Sequence, residues 1–241
     1  MTTTTTKSAY LQGLRDGAPF MAVAGPFALL FGVLATEAGL NLFEVMSFSF
    51  VVIAGAAQFT ALQLLQDNAP TLVVITSALA VNLRVAMYSA ALTPYLGDAP
   101  LWQRIFASYL LVDQSYALSH GKFEATPSLT TPQRMAYYFG TCTLVMIIWF
   151  IFSYIGAALG TQLPPQIPLN FALPIAFISM VAPMLRTFPH LIAAFVGIVV
   201  SLLLAGLPFS LGLFLGGLLG MMAGARAEII LDNKRFGEAT E

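Results

Sequence analysis

The sequence predicts an all-α polytopic integral membrane protein with seven to eight transmembrane helices, some of them short or broken. Three observations predict it. Of 241 residues, 58% are hydrophobic and 9% are charged, whereas about a quarter of a soluble domain is charged. Mean hydropathy is +0.83. The apolar residues fall into runs near the roughly 20 residues that a helix needs to cross hydrocarbon.

Taken in order, residues 1–16 are polar, rich in Thr and without the apolar core of a signal peptide. They are expected to form a cytoplasmic tail. A membrane domain is expected over 17–230 and a second cytoplasmic tail over 231–241. Eight segments qualify as crossings: 19–37, 45–65, 71–96, 101–118, 135–159, 171–185, 191–207 and 209–230. The sixth is short and carries Pro174 and Pro183, so it reads as a crossing or a re-entrant piece. Gly25-Pro26 predicts a kink in the first. Gly212, Gly216, Gly220 and Gly224 put a smooth face on the last, suited to close helix packing. No internal repeat is visible beyond a similarity between Gly17-Ala18-Pro19-Phe20 and Gly206-Leu207-Pro208-Phe209.

Eight crossings with both termini inside put Lys7, Arg15, Lys122, Arg134, Arg186, Lys234 and Arg235 on the cytoplasmic side, as the positive-inside tendency requires. Arg104 is the exception. Cys142 stands alone, so no internal disulfide exists, and His120 and His190 have no metal-ligand spacing. No cofactor or metal is expected. The nucleophile elbow, the zinc-protease helix and the phosphate-binding loop are absent, and the loops are too short to hold a soluble domain. The chain is therefore not expected to be an enzyme, and its function must lie within the membrane.

Polar groups at membrane depth usually line a cavity or pathway. Asp113 lies mid-segment in Tyr109-Leu110-Leu111-Val112-Asp113-Gln114-Ser115-Tyr116. At helical spacing Tyr109 and Tyr116 share its face. It reads as a proton or substrate-amine site, or as a partner for Arg84. Arg84 is suited to clamping a carboxylate, or to neutralising Asp113. Asn82 lies on the other side of its helix, in line with Ala78, Ala86 and Ala90, and Tyr88 follows one turn after Arg84. Gly55 and Gln58 interrupt the second segment, and with Ala56 and Phe59 they form an expected substrate-binding stretch. An unwound helix there would free backbone groups for the charged ends of a small zwitterion; a straight helix would instead bond Gln58 to a neighbour.

Several stretches together resemble the AzlC family of branched-chain amino-acid permeases, the large subunits of AzlCD-type exporters. They are Phe31-Gly32-Val33-Leu34-Ala35 with Glu37-Ala38-Gly39; Ala54-Gly55-Ala56-Ala57-Gln58-Phe59; Asn82-Leu83-Arg84 with Pro94-Tyr95-Leu96; Asp113 with Tyr116-Ala117; and Asn170-Phe171-Ala172-Leu173-Pro174. The resemblance runs from about Gly17 to Gly224. Three places depart from the family pattern: Val85 stands where a His is common, Val112-Asp113-Gln114 where Thr-Asp-Glu is common, and Asn170 where Asp is usual. The resemblance implies a secondary transporter in the inner (cytoplasmic) membrane that exports branched-chain or other small apolar amino acids; with the residue reading of Asp113 as a proton site, the expected transport is proton-coupled there. It also implies a small AzlD-type membrane subunit as partner. A channel-like pore for small solutes and a non-transporting subunit of a larger complex are the alternatives.

Overall fold

The computed structural model describes residues 5–162, 178, 185–207 and 211–238. Among them all regular structure is helical. The chain divides into two units, Met1–Asn170 and Phe171–Glu241.

Among the described residues of the first unit, three helices are long and apolar enough to cross a bilayer. The first is a composite. Helix α1 (Thr6–Gly17) passes through a 3-10 turn (Ala18–Phe20) into α2 (Met21–Glu37). The other two are α5 (Thr71–Leu96) and α8 (Thr131–Gly160). From Thr6 onwards the expected amino-terminal tail is thus helix. The α1–α2 rod lies parallel to α8, because their small residues meet in the same order: Gly13 on Gly140, Gly32 on Gly156, and Thr36 on Gly160. A Cβ at Gly13 or Gly32 would overlap the partner backbone, so these glycines permit the close approach that holds helices together in lipid.

Segments 45–65 and 101–118 are each two half-helices. Helix α3 (Leu42–Val51) and α4 (Gly55–Gln66) are separated by residues 52–54, with Ala54 extended at φ −159° and ψ 94°. Helix α6 (Leu101–Tyr109) and α7 (Asp113–Ala125) are separated by residues 110–112, with Val112 extended at φ −130° and ψ 166°.

Neither pair crosses. Measured along α2, Phe48 of α3 packs on Phe31, Ile53 in the break packs with Ala24, Gly55 sits beside Phe27, and Phe59 of α4 is back on Phe31. The Gln58 amide reaches Ser49 Oγ at 3.4 Å, a span that only a reversed chain can close. Measured along α8, Ala107 of α6 accepts from the Tyr138 hydroxyl and Leu110 lies by Cys142, whereas Phe123 of α7 has returned to Tyr137. The expectation of a crossing at each segment is therefore corrected: both are re-entrant hairpins. A hydropathy window measures apolar length and is blind to a reversal made by apolar residues. The sixth expected segment, 171–185, lies outside the described residues apart from Ile178 and Leu185.

The hairpins enter from opposite ends of the unit, α3–α4 from the carboxy-terminal end of α2 and α6–α7 from the amino-terminal end of α8. Their tips meet. Ile53, Leu110 and Val112 share one apolar cluster with Ala24, Val145 and Met146, and the last two mark the middle of α8. The Tyr109 hydroxyl donates to the Phe50 carbonyl, with the two rings 6.3 Å apart. Span plus hairpin thus occurs twice, as α1–α4 and as α5–α7, in opposite senses. This is an inverted repeat that the sequence does not display. Among the described residues of this unit, Lys7, Arg15, Arg104, Lys122 and Arg134 all lie on the α8 amino-terminal side of the junction. Glu37, Glu44 and Asp67 lie on the other side, with no Lys or Arg. Arg104 is not an exception once α6–α7 is a hairpin.

The described part of the second unit is an antiparallel pair, α9 (Phe188–Leu203) and α10 (Leu211–Glu238). The glycine face of α10 is used inside it. Gly216 meets Gly197 and Ser201, Gly220 meets Ala193 and Gly224 meets Pro189. Helix α10 runs on to Glu238, through most of the expected carboxy-terminal tail.

Candidate functional site

The hairpin reversal brings Asp113 to the first position of α7, just past the junction, and Arg84 stands at the middle of the 26-residue α5. An Nη2 of Arg84 lies 3.2 Å from Asp113 Oδ2, and the two side chains remain 34% and 40% exposed. Asp113 Oδ1 and Arg84 Nε are buried and have no hydrogen-bond partner. Each group therefore has bonding capacity that the pair does not use. An acid at the start of a helix also stands where the helix dipole favours it. One turn along both helices, Tyr88 and Tyr116 stack at 4.2 Å and 10° between planes. Tyr88 lies within electrostatic reach of both charges. The stack continues to His120, 5.4 Å from Tyr116, and His120 approaches Glu124 at 3.5 Å.

Tyr109 does not join this group. The helical spacing that placed it with Asp113 is interrupted at 110–112, and its hydroxyl instead ties the second hairpin to Phe50 of the first.

The other expected residues stand at the first hairpin. Gly55 begins α4; its cap, Ala54, offers no side-chain acceptor, so the first amides of α4 are uncapped. A Cβ at Gly55 would lie 2.7 Å from the Trp149 ring, so the ring requires glycine there. The Ala56 carbonyl accepts from Thr60. Gln58 is fully buried, bonded to Ser49 and with Oε1 unpartnered. Phe59 is fully buried in an aromatic seam with Phe27 at 4.6 Å and Phe31 at 5.7 Å, and Trp149 closes it 6.5 Å from Phe31. Asn82 is about 200° round α5 from Arg84, with Oδ1 buried and unpartnered.

The structure thus assembles Arg84, Tyr88, Asp113 and Tyr116. It places Gly55, Ala56, Gln58 and Phe59 in a drier cluster beside the same junction, and leaves Asn82 apart. Sequence reasoning missed Phe27, Phe31 and Trp149 as the wall behind Gly55; the one-turn spacing of the two phenylalanines was the available signal. Among the described residues no group of three metal-ligating side chains occurs.

Comparison with known proteins adds the family. A family model described as AzlC protein matches residues 19–163, more than half of the chain. The chain belongs to the AzlC family. The match begins at the turn between α1 and α2 and ends just past α8, so the family pattern covers both hairpins and the Arg84–Asp113 pair. This AzlC-family chain is also similar to the inner membrane protein YgaZ of Escherichia coli (strain K12), with 24% identity over 217 residues, 85% of each chain. It is a membrane protein. No solved structure matches it.

Proposed function

We propose that this AzlC-family protein is a secondary transporter that moves small apolar amino acids, branched-chain ones among them, outward across the cytoplasmic membrane with proton coupling. The observation that carries this reading is the Arg84–Asp113 pair at mid-depth, with Arg84 Nε and Asp113 Oδ1 unsatisfied. A zwitterion offers both partners that the pair lacks: its carboxylate for the guanidinium and its ammonium for the carboxylate. Substrate would then compete with the internal ion pair, and a proton on Asp113 would release Arg84. The stacked Tyr88 and Tyr116 supply an apolar wall. Half-helix ends meeting mid-membrane support the same reading, since unwound backbone at depth commonly serves substrate charges in carriers. In this account Gly55, Ala56, Gln58 and Phe59 shape the first hairpin beside the site, and Asn82 stands apart from it on the other side of α5. The positive-inside tendency supports an amino terminus in the cytoplasm. A small AzlD-type subunit is the expected partner.

A channel-like pore is the second reading, because two opposed hairpins also suit a continuous path. Proteoliposomes loaded with unlabelled leucine and given labelled valine separate the two. A carrier accumulates label transiently above its outside concentration, which a pore does not. Absence of exchange for every small apolar amino acid, or parental exchange by Arg84→Gln and Asp113→Asn, contradicts the proposal.

A further inference from the structure

A groove of about 360 Å³ lies between the last turns of α5 and the length of α6, at the low end of small-molecule sites. Its walls are apolar, with Leu92, Leu96, Ile105 and Leu111. Three of its four hydroxyls already donate to carbonyls: Thr93 to Ser89 at 2.8 Å, Ser108 to Ile105 at 2.9 Å and Tyr138 to Ala107 at 2.6 Å. Arg104 is the single charged residue lining it, and no acid lines it. Arg104 has no ion-pair partner among the described residues.

This pattern selects a ligand. A zwitterion would leave its ammonium without a carboxylate. A molecule with one anionic end and an apolar remainder satisfies both Arg104 and the leucines. Location narrows it further. Arg104 is one turn into α6, on the side of the unit that carries its basic residues. The flanks, Met87 at 72%, Leu101 at 64% and Trp102 at 60% exposure, are apolar surfaces of the kind that face lipid, and Trp suits the membrane boundary. Anionic lipids populate the cytoplasmic leaflet, and basic pockets between helices on that side take their headgroups.

We propose that this groove binds an anionic phospholipid of the cytoplasmic leaflet, with its phosphate on Arg104 and an acyl chain along Leu92, Leu96 and Leu111. The bound lipid would brace α6, and with it the second hairpin, against α5.

The test uses the purified protein in mild detergent, titrated with phosphatidylglycerol, with phosphatidylcholine of the same chains as the neutral probe, and thermal unfolding read by tryptophan fluorescence. Phosphatidylglycerol is expected to raise the unfolding midpoint and phosphatidylcholine is not. Arg104→Gln is expected to raise the half-saturating phosphatidylglycerol concentration at least tenfold. Arg15→Gln, a basic residue outside the groove, keeps the parental response. Ser108→Trp, which fills the groove and retains Arg104, loses it, and this second variant decides the matter if Arg104→Gln does not fold. Equal responses to the two lipids, a parental response from Arg104→Gln or from Ser108→Trp, or loss of the response in Arg15→Gln overturns the proposal. So does a stabilisation by free leucine that Arg104→Gln abolishes, which would assign the groove to an amino acid.

Discussion

Arg84 and Asp113 carry opposite charges at a depth where an unpaired charge costs at least ~2.5–3.5 kcal/mol on insertion scales. Both are about one third exposed, so the cost of breaking the pair is discounted for solvent. Asp113→Asn or Arg84→Gln alone is expected to destabilise by about 1–2 kcal/mol, since each leaves the other charge alone. The double variant should recover most of that loss, which a double-mutant cycle on thermal midpoints would measure. Transport separates structure from function: the account expects the double variant to regain stability and not exchange. A second residue-scale outcome concerns Tyr109. Tyr109→Phe removes one hydrogen bond between the hairpins and should cost ~1 kcal/mol, read as a lower unfolding midpoint. The two charges were legible in the sequence because each interrupts an apolar run. The place of Tyr109 was not, because periodicity holds only while the helix does.

At the scale of elements, the three-residue breaks are the features that position the site. Val52-Ile53-Ala54 and Leu110-Leu111-Val112 contain no Gly, Pro, Asn or Asp, so turn chemistry gave no sign of a reversal. What holds them is tertiary: Ile53, Leu110 and Val112 all pack on one buried cluster of Ala24 with Val145 and Met146 at the middle of α8. The residues after each break gave a partial signal. Gly55 follows the first, and Asp113 begins α7 as an acid favoured at a helix start. The glycine face of α10 was legible in the sequence, but its partner was not. For Gly156, whose Cβ would overlap the Leu29 backbone, Gly156→Val is expected to cost more than ~3 kcal/mol through overpacking. The check is the loss of a monodisperse peak in size-exclusion chromatography. Gly55→Val should displace the Trp149 ring and reduce exchange at least tenfold while the folded peak persists.

For the whole molecule, composition alone pointed to the helical membrane class, and charge distribution along the chain supports the sidedness proposed above. The number of crossings was not legible, because a re-entrant hairpin and a span have the same apolar length. Once the hairpins are recognised, all basic residues of the first unit except Arg84 fall on one side. The account rests on the two hairpins dipping in from opposite faces and meeting mid-membrane, and site-directed labelling tests that most directly. In a Cys142→Ala background, single variants Leu40→Cys, Asp67→Cys, Asp98→Cys and Ser128→Cys would be treated with a membrane-impermeant maleimide in spheroplasts. The account predicts that Leu40→Cys and Asp67→Cys both react in intact spheroplasts, and that Asp98→Cys and Ser128→Cys both react only after permeabilisation. Reaction of Leu40→Cys and Asp67→Cys from opposite sides, or of Asp98→Cys and Ser128→Cys from opposite sides, would contradict it.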